Sequence, residues 1–283
     1  WSFFWKISFI DNEYFGRLFY VFFYLSSLLL LINNFKFSIF FKITFFIFLI
    51  ILSYDYTYHY HWSMFSGYQD ILIFSLVTMA MHFFYKLSNF RGKFENFNLL
   101  SILLICNLLV WIKLEGFIIS SSLIFTLLIF FNFKIEKKIS IFIIFLLIIF
   151  LRFFIFDFYN LNSTNIQHSG FIYQNLKDIL ETISITRFLI VLKFLILNLL
   201  TNYLAIISMF IISILLITRQ NFRKMYHIMF LVLFNIIIFC GIYLITSSDL
   251  VEMLKNGIDR ILYQLSPFFL LLFLEFYNSK QGK

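Results

Sequence analysis

Long apolar runs separated by short polar stretches form the main pattern along this chain. Each run approaches the about 20 residues that a helix needs to cross a hydrocarbon layer about 30 Å thick. Backbone groups inside such a layer must hydrogen-bond internally, so the runs predict helices. Nine spans are expected, at roughly residues 17–33, 37–53, 68–87, 97–113, 116–133, 139–156, 203–218, 227–246 and 261–277. The pattern predicts an all-α, polytopic transmembrane bundle that forms a single domain over residues 1–283.

One charged stretch, Trp111-Ile112-Lys113-Leu114-Glu115-Gly116, separates two of these runs. Its acid and base are expected where two helices meet at a membrane surface, with Gly116 loosening the turn. Ionisable groups at this depth are costly and usually serve a function. The alternative is an ion pair between Lys113 and Glu115 across the turn, with no further role.

Composition excludes a soluble protein. Hydrophobic residues make up 62% of the chain and charged residues 13%, with a mean hydropathy of +0.93. A soluble domain of this size has too much surface to hide so many apolar side chains. Cys106 and Cys240 both lie in apolar runs and show neither metal-type spacing nor a disulfide framework.

The net charge of +8 is explained by the distribution of basic residues and does not indicate nucleic acid. Alternate loops carry most of the lysines and arginines, which predicts that these loops face the cytoplasm. These residues are Lys36, Lys86, Arg91, Lys93, Lys134, Lys137, Lys138, Arg219, Arg223, Lys224, Lys280 and Lys283.

Acidic residues are biased toward the opposite side. Glu95, Glu136 and Glu275 are expected with the basic loops, and the other acids on the outer side. The charge rule for topology does not require an acid bias. We interpret this acid bias as the sign of a functional site on the extracytoplasmic side.

Three outer segments show more pattern than a simple loop. In Tyr54–His61 a period of two predicts an extended strip with four tyrosines on one side. This strip is either an aromatic belt at the membrane interface or a strip that stacks on sugars or binds metal. His59 and His61 are weak metal candidates because two histidines two residues apart are a weak signal.

The other two segments are predicted amphipathic helices. Asn175–Leu200 is expected to lie on the outer surface and to lead into the span at 203–218. Asp249–Arg260 opens with a capping-box pattern and ends at the mouth of the last span. Within that span, Pro267 is expected to kink the helix.

Three motifs in order give the chain a family resemblance. Gly67-Tyr68-Gln69-Asp70 resembles the G-Y-[AQ]-D segment of bacterial GT-C membrane glycosyltransferases, in the branch related to protein O-mannosyltransferases and aminoarabinose transferases. The stretch from Trp111 to Gly116 resembles their W-x-K-x-E-G turn. Asp259-Arg260, followed by a Q-L-x-P pattern, resembles their terminal segment. Together the motifs cover about residues 67–270.

The resemblance implies an enzyme of the bacterial inner membrane with an extracytoplasmic active face. It implies transfer of a sugar from a polyprenyl-phosphate donor to a glycan, lipid or protein acceptor. In that family the catalytic base is usually an acid in the loop after the first span. Because the chain begins at Trp1 rather than Met, we interpret it as the C-terminal part of a longer enzyme, and expect that base to precede Trp1.

Residue types alone agree with this chemistry. Displacing a phosphate from an anomeric carbon requires a carboxylate to take the acceptor's proton and cations to stabilise the leaving phosphate. Asp70 and Glu115 are the catalytic candidates, able to orient the acceptor or to hold a divalent cation. The candidates for binding substrate and lipid phosphate are Lys113, Arg260, Tyr68 and Asp259.

Simpler roles and other functions remain open. Asp70 can cap the helix that follows it, and Arg260 can anchor a lipid headgroup. A carrier-lipid flippase or transporter, and an O-antigen ligase or polymerase, are the alternative functions. The glycosyltransferase hypothesis requires Asp70, Glu115 and Arg260 to converge at one mouth of the bundle.

Overall fold

A computed structural model describes residues 13–60, 69–89, 94–159, 183–218, 222–245 and 250–281. Helices account for nearly all of these residues, and no strand occurs among them. The predicted all-α class is therefore confirmed for this part of the chain. The described helices are α1 Glu13–Ile32, α2 Ile39–Tyr60, α3 Gln69–Asn89, α4 Glu95–Ile112, α5 Leu114–Phe130, α6 Ile135–Phe158, α7 Ile185–Thr201, α8 Tyr203–Thr218, α9 Phe222–Ile245 and α10 Leu250–Gln281.

The helices identify an integral membrane protein. Within the described ranges, five helices are long and apolar enough to span a bilayer: α3, α4, α6, α9 and α10. The pair α7 and α8 adds a sixth if it forms one broken span. The nine predicted spans are not confirmed, because α5 and the apolar parts of α1 and α2 are shorter than a full span. Hydropathy alone does not distinguish a short buried helix from a spanning one.

Two helices, α3 and α10, form the centre of the bundle. Helix α3 packs against α1, α4 and α10, and α10 also packs against α7, α8 and α9. In α10 every residue from Ile261 to Leu272 is buried. By contrast, α6 packs only at the edge, against α4 and α5, and buries Ile141 and Phe145 alone. Its remaining apolar surface is suited to lipid.

Helices α4 and α5 form an antiparallel hairpin around Lys113. Lys113 is the single extended residue between them, with φ −162° and ψ 162°. A Cβ placed on Gly116 would collide with the carbonyl oxygen of Leu109. Four residues further along α5, the Ser120 hydroxyl donates to the Cys106 carbonyl at 3.1 Å. Gly116 therefore lies inside α5 and permits close helix packing, and the prediction that it loosens the turn is wrong.

Two predicted segment boundaries are also wrong. The expected extended strip at Tyr54–His61 is helical through Tyr60, because α2 continues past its apolar part. A helix satisfies its own backbone hydrogen bonds at the membrane boundary, whereas an isolated strip does not. The expected outer helix ending at Arg260 and the last span are one helix, α10, which continues through Pro267. Neighbouring helices can compensate the hydrogen bond that a proline removes.

A sharp bend separates α7 from α8. The two helices meet at 101° around Asn202. The Asn202 side-chain oxygen accepts from the Ala205 backbone N–H at 3.1 Å, which caps α8. Ser184 caps α7 in the same way through the Arg187 N–H. The segment Asn175–Leu200, expected to lie on the outer surface and to lead into the span at 203–218, is described only from residue 183 onward, and its described part is followed by α8 after this bend.

Candidate functional site

The carboxylate of Asp70 forms the centre of a polar cluster at one end of the bundle. Asp70 lies in the first turn of α3, where an acid is favoured by the helix dipole. Only 3% of the residue is exposed. Burying a carboxylate is costly unless charges and hydrogen bonds compensate it, and side chains from two other parts of the chain do so here.

Arg260 and Gln264 reach Asp70 from α10. Arg260 donates to Asp70 Oδ2 through Nη2 at 2.8 Å and through Nε at 3.2 Å. Gln264 donates through Nε2 to the other oxygen, Oδ1. Residues four apart share one helix face, so α10 presents both side chains to α3 together.

Lys113 joins this buried contact to Glu115. Its ammonium lies 3.0 Å from Glu115 Oε1 and 3.6 Å from Asp70 Oδ1. Because Lys113 is itself the extended residue between α4 and α5, its ammonium lies within reach of both Asp70 and Glu115. The structure therefore brings together Asp70, Glu115, Lys113 and Arg260, as the sequence analysis required.

Exposure separates the roles of these groups. The Asp70 side chain is 4% exposed, whereas Lys113 and Glu115 are 25% and Arg260 is 28% exposed. Both Asp70 oxygens are already engaged by donors. Asp70 thus acts as a buried counter-charge that holds the cations, and Glu115 is the more accessible carboxylate.

Asp259 lies beside Arg260 but is nearly buried, at 5% exposure. Its Oδ1 accepts from the Arg260 backbone N–H at 2.9 Å. The structure therefore gives Asp259 a local contact within α10. A carboxylate repels phosphate, so a direct phosphate-binding role does not follow from this position.

Residues that the sequence analysis did not select also reach the cluster. Gln264 was visible only as part of the Q-L-x-P pattern, although its spacing of four from Arg260 was a usable signal. Tyr243, near the end of α9, lies within electrostatic range of Glu115, Asp259 and Arg260. Its hydroxyl packs directly on Gly257, where a Cβ would collide with it. No local pattern in α9 marks this tyrosine.

Arg187 adds a further positive charge near Tyr243, at the end of the bundle that holds the Asp70 cluster. Its Nη2 donates to the Tyr243 carbonyl at 3.4 Å, which connects α7 to the end of α9. An apolar pocket opens between α7, α9 and α10 next to these residues. Its lining includes Leu195, Phe239, Tyr243, Ile258, Ile261 and Leu265.

Three predicted site residues cannot be assigned to the cluster. Tyr68 and His61 lie outside the described residues, and for His59 only the backbone, in α2, is described. Within the described ranges, no group of three or more His, Cys, Asp or Glu side chains is arranged to hold a metal ion.

A second ion pair lies at the opposite end of α4. Lys137, in the first turn of α6, binds Glu95 at 2.6 Å and the Asn96 side chain at 2.9 Å. The side chains of Glu95 and Lys137 are 31% and 28% exposed. This pair resembles the Lys113–Glu115 pair in exposure, but within the described ranges Lys137 forms no ion pair with a buried carboxylate, so the pair serves as a control for the cluster.

No family model, curated protein or solved structure matches this chain at a significant level. The function of the cluster must therefore be inferred from its geometry. The protein that carries it is an integral membrane protein, and its described part is helical.

Proposed function

We propose that the chain is an integral-membrane glycosyltransferase that moves a sugar from a polyprenyl-phosphate donor to a glycan, lipid or protein acceptor. The observation that supports this most directly is the Asp70 cluster. Two partly exposed cations, Lys113 and Arg260, are held by one buried carboxylate beside a more exposed carboxylate, Glu115. The extracytoplasmic face and the bacterial inner membrane are part of the same proposal.

The cations supply charge for the leaving phosphate. Arg260 contacts Asp70 through Nε and Nη2, and its side chain is 28% exposed, so its positive charge is held in a position that a phosphate can approach. Lys113 adds a point charge from the helix hairpin. Groups fixed in advance in a site shielded from water stabilise developing negative charge most effectively.

Among the described residues, Glu115 is the carboxylate best suited to take a proton, in the role that the family resemblance gives to an acid before Trp1. In the proposed step the acceptor oxygen bonds to the anomeric carbon as its O–H proton passes to Glu115. The bond between the anomeric carbon and the phosphate oxygen breaks, and the electron pair leaves on the phosphate. Arg260 and Lys113 then stabilise the released polyprenyl phosphate.

The surroundings suit a lipid carrier. The apolar pocket between α7, α9 and α10 is lined by Ile258 and Ile261, which flank Arg260 on α10. The pocket itself is too small for an isoprenoid chain, so a carrier bound through its phosphate at Arg260 would lie along the exposed apolar surface of the bundle. The apolar face that α7 leaves exposed adds to this surface.

Transfer by the chain in lipid nanodiscs tests the proposal. Polyprenyl-phosphate monosaccharides serve as donors, bacterial membrane extract as the acceptor source, and released polyprenyl phosphate is measured. We expect Arg260→Ala and Glu115→Ala to abolish the release while membrane insertion stays intact. Each removes a group that acts on the reacting atoms.

Lys137→Ala is the matched control. It also breaks a partly exposed ion pair, at the opposite end of α4, and is expected to retain wild-type transfer. Wild-type release by Arg260→Ala and Glu115→Ala would reject these site assignments. The absence of release from every donor by the wild-type chain would reject the proposed function.

One observation favours a second candidate, a carrier-lipid flippase or transporter. The bend of 101° between α7 and α8 resembles the discontinuous helices found in transporters. Movement of a fluorescent polyprenyl-phosphate sugar across proteoliposome membranes, without cleavage of its phosphate bond, would support this candidate over the transferase.

A further inference from the structure

Gln264 is a fully buried amide at the centre of the bundle, with an exposure of 0%. Its Nε2 donates to Asp70 Oδ1. Its Oε1 is buried and has no hydrogen-bond partner among the described residues. The side chain is therefore only half satisfied, and its polar contact is with Asp70.

The amide at this position is useful only for its contact with Asp70. A buried polar atom without a partner is destabilising, and an apolar side chain of similar volume would avoid that cost. The residues on both sides of Gln264 in α10, Tyr263 and Leu265, are buried in the apolar core. A leucine would match these apolar neighbours, but it would leave Asp70 Oδ1 buried without the Gln264 donor.

The contact matters for the orientation of the Asp70 carboxylate. The terminal torsion of an aspartate is broad, so a carboxylate held on one side only can rotate. Gln264 donates to Oδ1, while both hydrogen bonds from the Arg260 side chain to Asp70 are on Oδ2. Lys113, 3.6 Å from Oδ1, is the cation that would take up that oxygen if Gln264 were absent.

We infer that Gln264 is a positioning residue for phosphate binding: it fixes the Asp70 carboxylate, which in turn holds the Arg260 guanidinium toward the phosphate of the lipid carrier. This inference rests on the proposed function, because it takes a lipid phosphate as the ligand of Arg260. Gln264 itself touches neither the phosphate nor the reacting sugar.

Binding of polyprenyl phosphate to the chain in nanodiscs tests the inference without requiring transfer. We expect Gln264→Leu to weaken binding about tenfold, the size expected for one hydrogen bond to a charged group. Thermal stability is also expected to fall, because leucine leaves Asp70 Oδ1 buried without this donor, and a control variant and a double variant separate that effect from positioning. Gln264→Met provides a second apolar variant if the leucine variant folds poorly.

Asn235→Leu is the matched control. Asn235 on α9 is likewise fully buried, donates to Ser122 Oγ at 2.8 Å, and has an unpartnered Oδ1 within the described chain. It does not contact the Asp70 cluster, so its variant is expected to bind polyprenyl phosphate like the wild type. An equal loss of binding in Asn235→Leu would show a general effect of removing a buried amide and would overturn the inference.

A double variant separates positioning from a merely structural role. If Gln264 acts through Arg260, Gln264→Leu adds no further loss of binding in an Arg260→Ala background. A further tenfold loss there, or wild-type affinity in both Gln264 variants, overturns the inference.

If the wild type binds polyprenyl phosphate and Gln264→Leu weakens that binding but no donor is cleaved, the inference stands and the transferase proposal fails. A wild type that does not bind polyprenyl phosphate rejects both.

Discussion

Asp70 and Glu95 are two acids in ion pairs whose surroundings differ in one decisive respect. Asp70 is 4% exposed and interacts with Arg260, Gln264 and Lys113, whereas Glu95 is 31% exposed and binds mainly Lys137. A partly exposed ion pair contributes little, because water solvates its members nearly as well apart. A buried carboxylate leaves its partners unsatisfied when it is removed.

We therefore expect Asp70→Asn to lower the free energy of unfolding by roughly 1–3 kcal/mol, since charged donors on Arg260 lose their acceptor in a partly buried site. Glu95→Gln, the control, is expected to cost about 0–1 kcal/mol. Reversible unfolding in detergent or bilayers measures both variants. Equal effects would show that Asp70 is not the structural centre of the cluster.

At the scale of elements, the hairpin of α4 and α5 places Lys113 and Glu115 next to α3. The hairpin depends on the close approach of Gly116 to the Leu109 carbonyl and on the hydrogen bond from Ser120 to Cys106. Small residues and serines are the usual means by which membrane helices pack closely. The position of the Lys113 ammonium thus depends on the close packing of Gly116 against Leu109, about one helical turn away.

Gly116→Ala is expected to force α4 and α5 apart, because the added Cβ meets rigid backbone atoms that cannot rotate away. Overpacking of this kind costs typically about 1–3 kcal/mol, and it should also displace Lys113 and weaken polyprenyl phosphate binding. Thermal unfolding and the binding assay report the two effects.

Gly241→Ala is the matched control for this change. A Cβ at Gly241 on α9 meets nothing within 4 Å, so neither stability nor binding should fall. In a helix interior alanine is even preferred to glycine by about 1 kcal/mol. A Gly116→Ala variant as stable as the Gly241→Ala variant would contradict the close packing of the hairpin.

For the whole molecule, the arrangement places two charged clusters at opposite ends of the bundle. Leu114 begins α5 at the Asp70 cluster, and Ile135 begins α6 beside the Lys137–Glu95 pair. Helix α4, which is long and apolar enough to span a bilayer, begins at Glu95 and ends next to Lys113, and its 18 residues rise about 27 Å along the helix axis. The two ends should therefore face opposite sides of a membrane.

Labelling of single cysteines from outside the cell tests this arrangement. Leu114 and Ile135 are 57% and 70% exposed, so Leu114→Cys and Ile135→Cys present accessible thiols. We expect an impermeant maleimide to label Leu114→Cys in intact cells and to label Ile135→Cys only after permeabilisation. The native Cys106 is buried and Cys240 partly buried, so the wild type is the unlabelled control. Labelling of both variants in intact cells would contradict the proposed placement of the ends, and the reverse pattern would place the Asp70 cluster on the cytoplasmic side.

The sequence by itself determined the class of protein and most of its helices. Apolar runs and their lengths are local properties, and the need to satisfy backbone hydrogen bonds in lipid leaves the helix as the outcome for such runs. It also indicated that Lys113 lies where two helices meet. The boundaries predicted from the local pattern were wrong at two places. Helix α2 continues through Tyr60, where an extended strip was expected, and α10 continues through Arg260, where a separate helix was expected to end.

Only the tertiary structure decided what Asp70 contacts. Arg260 and Gln264 are 190 and 194 residues away from it along the chain, and no local period encodes that distance. Their meeting depends on α3 and α10 packing side by side, which is set by the fit of two whole helix faces. For the same reason Gln264 and Tyr243, unremarkable in the sequence, become part of the site once α9 and α10 are packed.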